Sequence, residues 1–424
     1  MTSENVRELS KLVLKSYFYD SGPTRSNRNS DRTSHFAKTP PMRFELPIYS
    51  EPSSLILASL FLREKQNRIF DAVPISTIDS FIDEVFCNEI YDFVSKRHHL
   101  ERDNCYFDSF NSDDLTKFVG SIGCRIFNGP PPKTYSFPVS CLNVSSPYHG
   151  DEFYILNEEE VDHGREDGVI ANSINDQTVD GWVGFSAPFT EVAQKHKRIV
   201  MAAVSLRLGR TERTQKTIAQ PPNGFLTHGI AEDLSWSTST EHAPQLGYQI
   251  NIETEDHYWL GKIDGLISSD TKPDRRTRKS LEYFYYGWFR SDNERVPFNF
   301  MAIDALFGQG SGPTGFKIKT GIMNNIGQII DENRLDQIIL IRNLFVHGSC
   351  PDIYDSSIYK DYIKTYGFDP TVDIDYITAS CLRRFIFGEN FKIQPNPYYD
   401  DLEKLKTRGI FPTKSLHNPI ITEI

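Results

Sequence analysis

The chain has 424 residues, 38% of them hydrophobic and 12% aromatic, enough apolar material for two or three domains of roughly 100–200 residues each. Its net charge of −11 excludes an indiscriminate coat on nucleic acid, because phosphate attraction needs a basic surface. The longest apolar runs, residues 55–62 and 199–206, fall far short of the ~18 residues that a membrane-spanning helix needs, so no membrane partner is expected.

Residues 3–18 have helical spacing, with Ser3 placed as a cap. Residues 20–41 are rich in Ser, Asn, Arg and Pro and read as a loop or linker. Residues 76–97 carry Ile78, Phe81, Ile82, Val85, Phe86, Ile90, Phe93 and Val94 near helical spacing, and a shorter helix is expected over 113–122. The texture changes at the breaker "NGPPPK", residues 128–133. Extended segments are expected after it at 134–144, 152–156, 181–187, 198–209, 246–254 and 258–268, several of them β-branched and aromatic. "SDTKPDRR", residues 269–276, reads as a domain boundary. Helical patterns return beyond it at 275–290, 297–308, 315–330, 333–348, 356–367 and 371–388, the second opening on Pro297 and closing on Gly308.

The expected fold class is therefore α+β, a β-rich N-terminal and middle region followed by an all-α C-terminal bundle. The divisions read from the sequence are 1–42, an N-terminal helix and polar linker; 43–270, a mixed, β-rich sensing or regulatory domain; 271–390, the helical bundle; and 391–424, an irregular tail rich in Pro and Asn. The six cysteines (Cys87, Cys105, Cys124, Cys141, Cys350, Cys381) are widely spaced and form no CxxC pair, so neither a metal nor any other cofactor is expected. The first 18 residues have scattered charges and no apolar signal core, which points to a cytoplasmic protein with free thiols.

"LIRNLFVHGSC", residues 340–350, stands out because Arg342, Asn343 and His347 interrupt an apolar run that also contains Leu335, Ile338, Ile339, Ile341, Leu344, Phe345 and Val346. Charged groups in such a place are costly unless paired or exposed at a groove. On a helix, Arg342 and His347 stand about 7.5 Å apart along the axis and about 140° around it, within reach of a long arginine side chain. Asn343 precedes His347 by four residues and shares its face, placed to fix the imidazole or touch a ligand. Gly348 reads as the residue that stops the helix. A histidine beside the last helical carbonyls favours positive charge, and a cationic pair suits a phosphate. Arg342 would hold phosphoryl oxygens, and His347 would move a proton to or from a ribose 2′-OH or the leaving 5′-oxygen. The competing reading has a capping histidine and a structural arginine. Spacing alone does not choose between them, since Arg28 and His35 form a second, comparable pair in the polar linker.

In context, "RNLFVHG" at the end of a long helix of an all-helical segment resembles the HEPN family, whose motif is an arginine, four to six residues, then a histidine. "PFNFMAIDALFGQG" resembles the "LEALFG"-like helix of the Apea-type HEPN group, with Asp304 at the acidic place where that group carries Glu. The resemblance covers about residues 275–390. It implies a metal-independent endoribonuclease that acts as a homodimer, with Arg342 and His347 as catalytic residues and Asn343 in support. It further implies RNA as partner and a role as a toxin or as an antiphage, abortive-infection effector. A trigger ligand or inhibitory partner is then expected at the N-terminal region. The alternative within the family is an inactive module for RNA binding or dimerisation.

Arg275, Arg276, Arg278 and Lys279 in "KPDRRTRK", residues 272–279, are candidate RNA contacts, against the plainer reading of a solvated charged surface. Glu253, Asp256, Asp264 and Lys262 offer the ingredients of a metal nuclease, but their spacing fits turn residues better. His163 in "VDHGRED" and the histidines of "KRHHL" read as loop and helix-end residues. No P-loop, GxSxG or HExxH sequence is present.

Overall fold

The computed structural model describes residues 3–19, 33–37, 46–90, 105–140, 142–161, 179–209, 224–229, 234–238, 248–288, 290–310, 313–326, 330–348, 352–398, 400–401, 404 and 407–408. The fold is α+β, and the chain divides into two compact units. The first comprises Met1–Lys133 and Ala187–Ala193, the second Thr134–Ser186 and Gln194–Ile424.

In the first unit the helix Ser3–Ser16 buries Val6, Leu9, Val13 and Leu14, spaced three, four and one apart as one helical face requires. It packs on the helix Pro52–Lys65, which buries Leu55, Ala58 and Leu62. Strands β1 (Tyr17–Tyr19), β2 (Thr33–Ala37) and β3 (Leu46–Ser50) form an antiparallel sheet in the order β1-β3-β2. Part of the expected linker is thus paired chain. His35 lies in β2, while Arg28 falls outside the described residues. The expected helix at 76–97 is found as Ile75–Glu89, and residues 91–97 lie outside the description. Phe86 from this helix stacks on Tyr17 with ring centroids 3.8 Å apart. The expected helix at 113–122 is Ser112–Phe118, started by a reciprocal Asn111–Asp114 capping box and continued through a π-helical turn into Cys124–Asn128.

The second unit holds a six-stranded sheet of β4 (Lys133–Val139), β6 (Tyr148–His149), β7 (Phe153–Asn157), β8 (Gly181–Ala187), β9 (Gly224–His228) and β10 (Ser235–Thr238). Their order is β10-β9-β4-β8-β7-β6, so β4 and β8 are central. A short parallel pair joins β5 (Leu142–Val144) to β11 (Ile250–Ile252).

Two expected strands are helices. Residues 198–209 fall mostly in the helix Thr190–Ser205, where Ile199, Val200, Met201, Ala202, Ala203 and Val204 are all fully buried. A helix enclosed on every side shows a continuous apolar run, which periodicity cannot tell from a buried strand. Lys197 of this helix lies over the Phe137 ring, 5.0 Å from its centroid, which seats the helix on the sheet. Residues 258–268 belong to the helix His257–Ser268, and its buried Trp259, Leu260, Ile263, Leu266 and Ile267 have helical spacing.

The later helices are Lys272–Trp288, Asp292–Phe307, Thr314–Ile326, Glu332–Val346, Ser357–Tyr366 and Pro370–Leu382. Asp292–Phe307 starts five residues before Pro297, because Ser291 and Glu294 form a capping box, and the proline lies inside the helix. Gly287 lets the 272–288 and 292–307 helices approach closely, since a Cβ there would stand 3.2 Å from Arg295 Cγ. Arg334, Tyr362 and Asp373 form a buried cluster in this bundle. Arg334 Nε donates to the Tyr362 hydroxyl at 2.8 Å, and Asp373 accepts from both Arg334 Nη2 and the Tyr362 hydroxyl. Burial, the Asp373 charge and the hydrogen bond push the Tyr362 hydroxyl well above its ordinary pKa.

The chain does not divide near residue 270. "SDTKPDRR" is a tight turn between two helices, held by Arg278, whose Nη1 donates to the carbonyl oxygens of Leu266 (2.7 Å), Ile267 (3.3 Å) and Ser269. Arg383 donates from Nε to Leu206 O and from Nη2 to Leu208 O, both at 2.9 Å. Gln394 of the irregular tail bonds to the backbone of Arg207, Gln249 and Asn251. Sheet, helices and the described start of the tail therefore form one unit.

Of the four cysteines described, Cys381 is completely buried, and burial pushes its thiol up to about 12. We expect Cys381 to stay unlabelled by iodoacetamide at pH 8 in the folded chain and to react on unfolding, as read by peptide mass spectrometry. Rapid native labelling would contradict this packing.

Candidate active site

The helix Glu332–Val346 begins where the Asp331 carboxylate accepts the Arg334 N–H at 3.1 Å. Its inner face is Leu335, Ile338, Ile341 and Arg342. The helix is less buried than its composition suggests, because Leu340 and Val346 are about half exposed. It stops as expected: the His347 N–H reaches Asn343 O at 3.1 Å, the Gly348 N–H reaches Phe345 O at 3.0 Å, and Gly348 takes a φ of 66° that favours glycine.

Arg342 turns inward, and its side chain is only 6% exposed. Its guanidinium grips the Asp304 carboxylate with both prongs, Nε to Oδ1 at 3.2 Å and Nη2 to Oδ2. Nη1 donates to Asn343 Oδ1 at 3.0 Å. Of the five N–H groups that arginine carries, two have no partner among the described residues. Asn343 thus orients the arginine and not the imidazole. Gly315 lies against it, since a Cβ there would stand 3.7 Å from both of its amide atoms. His347 is exposed, and its ring makes no hydrogen bond among the described residues. A cleft of about 360 Å³ opens beside Phe345, two residues from His347, and Arg290, Phe298 and Asp352 help line it.

Asp304 is the residue whose part the arginine–histidine spacing could not show. It lies 38 residues before Arg342 on the 292–307 helix, and the sequence marks it only as the acidic residue of "AIDALF", with nothing to tie it to the arginine.

The four candidate RNA contacts separate. Arg278 is corrected from an expected RNA contact to a buried clamp on helix-terminal carbonyls. Arg275 is exposed and pairs with Asp270 at 3.5 Å. Lys279 pairs with Glu282 at 3.3 Å and lies 5.0 Å from the Tyr283 ring centroid. Arg276 is half-buried and donates to Leu306 O at 2.9 Å.

The acidic residues considered for a metal nuclease are engaged within the fold. Asp264 accepts the backbone N–H groups of Asp151, Glu152 and Phe153 at 2.9 to 3.4 Å and braces the turn into β7. Asp256 accepts from Glu253 N–H and Trp259 Nε1. Lys262 donates to the Tyr258 hydroxyl and to Phe387 O. Among the described residues, no group of three or more His, Cys, Asp or Glu side chains is arranged to hold a metal ion. His163 and the "KRHHL" histidines lie outside the described residues.

No protein-family model, no curated protein and no solved structure matches the chain.

Proposed function

We propose that the chain is a metal-independent endoribonuclease of HEPN type, active as a homodimer and serving as a toxin or antiphage effector. One observation carries the reading. An arginine fixed by Asp304 and Asn343 precedes by five residues a histidine that is exposed at the helix end with an uncommitted ring. A guanidinium held in one orientation can offer its remaining N–H groups to phosphoryl oxygens without reorganising. His347 would carry the proton. The 2′-oxygen attacks phosphorus and loses its proton, the bond to the 5′-oxygen breaks, and that oxygen gains a proton. The products are a 2′,3′-cyclic phosphate and a 5′-hydroxyl. In a dimer, two histidines facing one cleft could share the roles of base and acid. The N-terminal and β-rich parts of the chain would bind a trigger or a restraining partner.

The second reading is an inactive RNA-binding or dimerisation module. The burial of Arg342 and the commitment of both prongs to Asp304 favour it, because a bidentate pair is also a structural clamp.

Labelled RNA incubated with the full chain in EDTA, with fragment ends sequenced, tests the first reading. It requires fragments with 5′-hydroxyl ends. Arg342→Ala divides the two readings. The nuclease loses cutting in Arg342→Ala, while the inactive module loses thermal stability and cuts no RNA in either form.

A further inference from the structure

A second cleft, of about 360 Å³, lies where the 272–288, 292–307 and 314–326 helices meet. Among the described residues no acidic side chain lines it, although the chain as a whole is acidic. Two cations do, Arg276 and Lys317. Among the described residues Arg276 donates once, to Leu306 O, and its buried Nε has no partner. Burial pulls its guanidinium below the ordinary value, so a bound anion would restore what desolvation removes. Lys317 donates to Gly310 O at 2.6 Å and keeps two ammonium hydrogens.

The walls are aromatic. Phe316 is 70% exposed, unusual for a large apolar ring, and stands at the cleft with Phe307. Phe307 lies on Gly321, where a Cβ would come within 2.4 Å of its ring, so the glycine leaves room for the ring there. Gln309 and Asn324 also line the cleft, and their amides make no hydrogen bonds among the described residues. An open ring for stacking, uncommitted amides for a base edge and a cation pair for phosphate together match a nucleotide.

We infer that this cleft is a nucleotide subsite, taking one nucleoside 5′-phosphate unit with its base on Phe316 and its phosphate at Arg276 and Lys317. The inference goes beyond the ribonuclease reading and does not depend on cleavage. The unit is either a free nucleotide or one residue of a single strand.

Calorimetric titration of the full chain with UMP, AMP, inorganic phosphate and a 2′-O-methyl octanucleotide, which 2′-OH chemistry cannot cleave, tests it. Phe316→Ala and Lys317→Ala alter side chains at the cleft rim, and their circular dichroism should match wild type. Nucleotide binding should weaken about tenfold in Phe316→Ala, the scale of one lost base–aromatic stack. It should weaken, with a smaller salt dependence because Arg276 remains, in Lys317→Ala. Inorganic phosphate should bind at least about tenfold more weakly than the nucleotides, since it gains no stacking. A tighter octanucleotide assigns the site to a strand, and binding of the mononucleotides alone assigns it to a free nucleotide. The inference is overturned if nothing binds, if neither variant changes affinity, or if inorganic phosphate binds as tightly as UMP and AMP.

Discussion

His347→Ala should reduce RNA cleavage by about two to four orders of magnitude, the range that a positioned acid–base group contributes. The effect should fall on turnover, with melting and circular dichroism unchanged, because the imidazole is exposed and holds nothing in place. His35→Ala is the matched control, since it removes the histidine of the other arginine–histidine pair and should leave cleavage intact. Cutting that survives His347→Ala would sink the ribonuclease reading.

The second large effect concerns stability. Asp373→Ala should cost about 3–5 kcal/mol, because it strands the Arg334 charge where the side chain is 5% exposed. The rings of Tyr362, Tyr366 and Phe368 lie 4.8 to 5.7 Å from that guanidinium and cannot replace a carboxylate. The loss would appear as a fall in the urea midpoint. Arg334→Met combined with Asp373→Leu and Tyr362→Phe should recover most of it, since apolar groups of similar volume leave neither a charge nor the buried hydroxyl unpaired. An unchanged midpoint in Asp373→Ala would show that the pair is not desolvated.

The amphipathic helices were legible because burial on one face writes a period into the chain, as Ile78, Ile82, Val85 and Phe86 show. The helix stop at Gly348 was legible too, because a left-handed residue selects glycine locally. What failed was context. The helix Thr190–Ser205 is enclosed, so its apolar run lost the period that separates helix from strand. Arg278 sits beside Arg275 and Arg276 in one basic run, yet only packing decides which of them turns inward. The candidate site divided along the same line. Arg342, Asn343 and His347 could be read as neighbours, whereas the hold of Asp304 on Arg342 spans 38 residues and belongs to the tertiary fold.

The way Arg278 and Arg383 are used bears on how this protein can be taken apart. Each guanidinium bonds backbone carbonyls that lie before residue 270: Leu266, Ile267 and Ser269 for Arg278, and Leu206 and Leu208 for Arg383. A fragment trimmed to begin at residue 271 would keep every helix from Lys272 onward and lose all five acceptors. The two guanidiniums would exchange these carbonyls for water, and the apolar faces that packed on the lost chain would be exposed. The helical region is thus not a cassette that can be lifted out, and silence from such a fragment would report its broken seams, not its chemistry.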